Sequence, residues 1–145
     1  MVTTDDLCAA IRTKWAASGL NALVPAGGVY VGRAAENTAP PYAVLTVKLA
    51  GTEPTSGLLF LQTFEASVDC YTQSTPSAGS VQAATILAFL GTPAAPAAGL
   101  SLASGRAVHS LLTAGDGTAV TQVRIDGADV HKVSTRFTIL TQTSR

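Results

Sequence analysis

With 145 residues, nine basic and nine acidic side chains and a formal charge of zero, the chain carries charge on only 12% of its residues. That balance excludes a surface built to attract nucleic acid or anionic lipid over a distance. The length fits one domain, residues 1–145, able to bury roughly two thirds of its unfolded surface. The 47% apolar content, rich in Ala, exceeds what a wet monomer surface needs and points to buried intersubunit area.

Residues 1–11, MVTTDDLCAAI, lack the basic region and apolar run of a secretory signal, and no 18-residue apolar stretch could span a bilayer. Folding in the cytoplasm is therefore expected. Cys8 and Cys70 are the only cysteines and form no CxxC pair; they read as small, buried, reduced residues.

In chain order, Thr4 with Asp5 and Asp6 offers a capping hydroxyl and two acids at a positive helix end. Leu7, Ile11 and Trp15, with Ala10 beside them, then form one apolar stripe, and Gly19 closes the helix. A connection through residues 20–28 leads to a brief strand, VYVGR, with Val29 and Val31 on one side. Residues 34–41 form a loop because Asn37, Pro40 and Pro41 oppose regular structure. Residues 42–49 alternate as a strand, and residues 51–57, GTEPTSG, are a polar hairpin link.

Residues 58–71, LLFLQTFEASVDCY, give the longest strand-like alternation without Gly or Pro. Phe60, Phe64, Ala66, Val68 and Cys70 share one parity; Thr63, Glu65, Ser67, Asp69 and Tyr71 share the other, as in a sheet with one buried face. This strand should be central. Ser77 or Ser80 then caps a helix running to about Leu90, with Ala83, Ile86, Leu87 and Leu90 toward the sheet, on the side that carries the first helix. Residues 91–105, with two prolines and many small side chains, read as a surface excursion.

The last third reads as a meander of three extended runs, 106–114, 118–125 and 130–140, joined at Asp116-Gly117 and Asp126-Gly127, dipeptides that hairpin turns favour. In the final run His131, Val133, Thr135, Phe137 and Ile139 oppose Lys132, Ser134, Arg136 and Thr138, and that polar set would face Glu65 and Asp69 if the strands are neighbours. The pattern predicts an α+β fold: a single mixed, mainly antiparallel sheet of five or six strands with two helices packed on one face.

Catalytic patterns are thin. His109 and His131 lack an HExxH or a cysteine cluster, so they read as ordinary strand histidines rather than metal ligands. The run Gly99-Leu100-Ser101-Leu102-Ala103 misses the last Gly of a nucleophile elbow, and Arg33-Ala34 replaces the Lys-Ser/Thr of a phosphate loop after Gly27. Glu65 and Asp69, four strand positions apart, are separated by roughly 13 Å, too far for joint work on one bond. Neither a metal, a cofactor nor a catalytic residue is expected. The scattered basic residues, with no interleaved aromatics, oppose a nucleic-acid module.

Taken together, the first amphipathic helix, VYVGRAAENTAPPYAVLTV, the strand ending FEASVDCYTQS, SAGSVQAATILAFL and HKVSTRFTIL resemble the tail terminator (tail completion, tail-to-head joining) family of tailed bacteriophages and phage-like particles. The similarity covers about residues 4–90 and 130–140. Its most characteristic feature is Pro41-Tyr42 leading into a strand, followed by a strand that closes in Tyr71 before a polar turn and a helix.

The resemblance implies a virion protein of the tail and neck, assembled in the host cytoplasm. It implies a homo-oligomeric ring, typically a hexamer, at the head-proximal end of the tail tube, stopping tube growth and meeting a neck or head-completion protein. DNA would pass through the lumen without specific binding, and no membrane is involved. Such a ring needs two different complementary patches on each subunit. Leu59 and Leu61 interrupt the polar parity of the central strand, and Glu53, Pro54 and Thr55 lie at the hairpin tip; these are the leading contact candidates. Glu36, Asn37 and Thr38, and Pro93, Leu100 and Leu102 in the excursion, are secondary candidates. One alternative is a head-completion or neck adaptor of the same particle, a class often more helical than this strand-rich chain; a second, of another kind, is a small hydrolase using His109 or His131.

Overall fold

Thr3 and Asp6 tie the start of the first helix reciprocally: the Thr3 N–H donates to Asp6 Oδ2 at 2.9 Å and the Asp6 N–H to Thr3 Oγ1 at 3.2 Å. This capping box satisfies two helix-end donors at once, and it moves the cap one residue ahead of the expected Thr4. In a computed structural model of the chain, which describes residues 2–35, 38–54, 59–90, 100, 110–125 and 127–144, helix α1 (Thr4–Ala16) buries Leu7, Cys8, Ala10, Ile11 and Trp15, the stripe read from the sequence with Cys8 added.

The helix stops at Ala16 rather than Gly19. The Ser18 hydroxyl donates to the Trp15 carbonyl at 2.8 Å and its oxygen accepts the Leu20 N–H at 3.2 Å, so the chain turns there without needing a glycine. The connection through residues 20–28 contains a short helix α2 (Leu20–Leu23) and a 3₁₀ turn (Ala26–Gly28) before strand β1 (Val29–Val31).

Four long strands complete the sheet: β2 (Tyr42–Pro54), β3 (Leu59–Thr72), β4 (Ser110–Ile125) and β5 (Ala128–Ser144). Their order is β1-β2-β3-β5-β4, with β1 parallel to β2 and every other pairing antiparallel. The expected central strand is the middle one of five. Its even parity (Phe64, Ala66, Val68, Cys70) is buried, as is Gln62, whose Oε1 accepts the Val2 N–H at 3.1 Å. Cross-strand partners share a face, so Leu45 on β2 and Val133, Phe137 and Ile139 on β5 join the same core, which α1 and the second long helix cover.

That second helix, α3 (Thr75–Thr85), is capped by Ser74, whose oxygen accepts the Ser77 N–H at 3.3 Å, earlier than the expected Ser77 or Ser80. Pro76 sits in its first turn, where a missing N–H costs nothing. A π-helical turn (Ile86–Leu90) continues it. The expected face is corrected in part: Leu90 packs against the core, but Ala83 is exposed and Leu87 is 67% exposed, whereas Ala78, Val81, Thr85, Ala88 and Phe89 are buried. Phe89 stacks on Phe137 of β5 at 5.2 Å and 8° and lies 6.2 Å from Trp15, so one aromatic joins both helices to the sheet.

Three further expectations are revised. The runs 106–114 and 118–125 are not separate strands: β4 is continuous from Ser110, and Asp116-Gly117 falls in a register shift where five steps on β4, Thr113 to Thr118, oppose two on β5, Phe137 to Thr135. The other dipeptide does close a hairpin, since Ile125 pairs with Ala128 and Gly127 has φ +80°. The hairpin link also begins later, because β2 runs through Gly51 to Pro54 after an irregularity at Ala50. Finally, Val31 does not accompany Val29 into the core but is 51% exposed at the sheet edge.

Candidate assembly surface

The odd parity of β3 faces away from the helices and builds an open sheet face. The register sets Lys48, Glu65 and Thr138 in one row, Thr46, Ser67 and Arg136 in the next, and Val44, Asp69 and Ser134 in a third. Residues of the first two rows line a shallow hollow of about 540 Å³. Lys48 Nζ stands 3.2 Å from Glu65 Oε2, with both side chains largely exposed, so this pair contributes little stability. The Ser134 hydroxyl donates to Asp69 Oδ1 at 2.6 Å, which realises the anticipated match between the polar parities of β3 and β5.

At one end of this face the chain's three tyrosines form a ladder across β1, β2 and β3. Tyr42 stacks on Tyr71 at 4.8 Å and meets Tyr30 edge-on at 6.5 Å. Tyr42 is buried and its neighbours half-buried. Burial first, then the charges of Asp69 and Tyr42, push the Tyr71 hydroxyl above its ordinary pKa, so Tyr71 is neutral at physiological pH.

At the other end lie the last residues of β2 and the first of β3, with β5 beside β3. Ala50, Gly51, Thr52 and Glu53 are exposed, Glu53 pairs with Leu61, and Leu61 is 36% exposed. Gln142 flanks Leu61 on β5, and Leu59 stands opposite Ser144. The structure thus places Glu53, Pro54, Leu59 and Leu61 at one end of the β2–β3 pair, Pro54 pairing with Phe60. Thr55, Glu36, Asn37, Pro93 and Leu102 lie outside the described residues. Thr38 is half-buried, its N–H and hydroxyl both donating to the Ala35 carbonyl. Leu100 is corrected: at 1% exposure it is part of the protomer's own core and offers no contact surface; the rest of the expected excursion lies outside the described residues.

Among the described residues no cluster of three His, Cys, Asp or Glu could hold a metal, and no helix is long and apolar enough to cross a membrane. His131 is half-buried on β5 opposite Thr72 and Gln122, while His109 lies outside the described residues. Both cysteines are free and buried; burial, reinforced by Asp69, pushes the Cys70 thiol up to about 12.

Sequence reasoning missed the sheet edges. Val31 and Leu49 at one edge and Val120 at the other are all strongly exposed, although each occupies the core parity of its strand. Alternation assigns a side chain to a face but does not reveal which strands are outermost.

No protein-family model matches the chain, and no curated protein matches it. Among solved structures, it is similar over 96% of its length, and over 96% of the other chain, to a chain of the structure described as the virion of native gene transfer agent (GTA) particle, at 20% identity and a TM-score of 0.68. At that identity the likeness is one of fold, and it extends across the whole protomer.

Proposed function

We propose that the protein is a structural virion subunit, a tail terminator that assembles into a ring at the head-proximal end of a phage-like tail tube, stops tube growth and joins the tail to the neck. The observation that carries this reading is the end-to-end correspondence in fold with a chain of a gene transfer agent virion. The open sheet face and the exposed end of the β2–β3 pair support it, because they offer surfaces for contact. The role is one of binding and geometry, with no chemistry. Its partners are further copies of the chain, the tube protein and a neck or head-completion protein. Leu61, with Glu53, Pro54, Thr55 and Leu59, is the contact region toward tube or neighbour; Glu36, Asn37, Thr38, Pro93 and Leu102 are secondary contacts.

Size-exclusion chromatography with light scattering tests the reading: the ring predicts a mass about six times the 14.7 kDa protomer. A protein that remains monomeric at high concentration, alone and with the tube protein, would overturn it.

A further inference from the structure

The two outer edges of the sheet are both incompletely paired. On one side β1 covers only Ala43, Val44 and Leu45 of β2. The Leu45 carbonyl is taken by the Gly32 N–H at 2.9 Å, and beyond it residues 46–52 have no outer strand among the described residues. On the other side β4 ends the sheet, and its residues 118–123, Thr-Ala-Val-Thr-Gln-Val, contain no charge and no proline. Natural edges that must stay single are blunted by charges, prolines or bulges; this six-residue stretch is not.

The apolar side chains at these edges match. Val120 pairs with Val133, and Leu49 with Phe64; both partners are fully buried, so Val120 and Leu49 point to the helix-bearing face. Yet Val120 is 41% and Leu49 48% exposed, because among the described residues no strand lies outside either of them.

Strand direction also permits continuation. β2, β3, β5 and β4 alternate strictly, so a neighbour generated by rotation about an axis along the strands meets β4 with its own β2 running antiparallel. We propose that residues 118–123 of β4 pair antiparallel with residues 46–52 of β2 in a second copy of the chain, setting Val120 against Leu49 and making the sheet continuous from subunit to subunit. This seam rests on the ring reading above and specifies its interface.

The register is consistent with closure. Leu49 lies level with Ile139 through Phe64, and Val120 level with Val133, six residues earlier on β5, a stagger of roughly 20 Å at 3.3 Å per residue. Four strands about 4.8 Å apart, tilted by about 45° as in a closed barrel, impose roughly 19 Å per subunit. With that stagger residues 118–123 of one copy lie just beyond the three β2 residues that β1 already covers.

The test is a Leu49→Cys/Val120→Cys double variant under mild oxidation. Within one protomer the two sites are three inter-strand spacings and about six residues apart, far beyond disulfide reach, and Cys8 and Cys70 are buried. The seam predicts a ladder of covalent multimers on a non-reducing gel, with each single variant remaining monomeric there. In parallel, Val120→Lys should dissociate the oligomer while circular dichroism stays unchanged, and Val120→Lys/Leu49→Glu should restore it. An assembled oligomer that shows no ladder and tolerates Val120→Lys would overturn the seam and leave the ring standing. A wild-type protein that is monomeric throughout would overturn both.

Discussion

The indole N–H of Trp15 donates to the Val24 carbonyl at 2.8 Å, deep in the core, tying the last turn of α1 to the segment that leads into β1. Trp15 is fully buried, so this bond satisfies two groups that have no access to water. Trp15→Phe removes the donor and leaves the carbonyl unpaired, which should cost about 1–3 kcal/mol before the loss of volume is counted. A urea midpoint unchanged by the substitution would contradict this.

The Phe89 ring should dominate the second helix. It is fully buried between Trp15 and Phe137, so Phe89→Ala should cost about 3–5 kcal/mol. Leu87, two residues earlier, is 67% exposed, and Leu87→Ser should change stability by about 0.5 kcal/mol or less. Chemical denaturation of the pair of variants checks the helix face directly; equal losses would mean that Leu87 is packed.

That face shows where sequence reasoning ends. The central strand was legible because a two-residue period with one buried side leaves an unambiguous pattern in Phe64, Ala66, Val68 and Cys70. The residues ILAFL at 86–90 point in every direction around a helix, and the buried side of α3 uses the small residues Ala78, Val81 and Thr85, which carry little hydropathy signal. The two Asp-Gly pairs were equally good turn signals, yet only Asp126-Gly127 reverses the chain. At Asp116-Gly117 the strand already has β5 beside it and absorbs the extra residues as a bulge. Leu61 became a contact candidate because strand alternation failed there and Glu53 because it lies in a polar link, whereas the edge residues Leu49 and Val120 obey alternation and gave no warning.

The thiols should be inert in the folded protein. Cys70 is pushed up to about 12, mainly by burial, and burial likewise raises Cys8, with Asp5 adding to the effect and Arg12 opposing it. Since the thiolate is the reactive form, an aromatic disulfide reagent at pH 8 should label neither residue on the timescale of minutes and both after denaturation. Rapid native labelling of either cysteine would show that its cover opens.

The α1 cap should be sensitive to acid. The Thr3 backbone N–H, and then its hydroxyl, hold the Asp6 carboxyl below its ordinary value. A depressed folded pKa means that the contribution is complete above the ordinary Asp value, near 4, and is lost as the pH falls through the folded value. Asp6→Asn should therefore lower the denaturation midpoint at pH 7, and the gap from wild type should narrow at pH 3; a gap that stays constant would contradict the carboxylate's role.

The length of tails assembled without this chain tests the proposed function most directly. Particles produced from a locus with its gene deleted should show, by electron microscopy, tubes that overrun the normal length and remain unjoined to heads, with both defects reversed when the wild-type chain is supplied in trans. Tails of normal length attached to filled heads in the deletion strain would contradict the account.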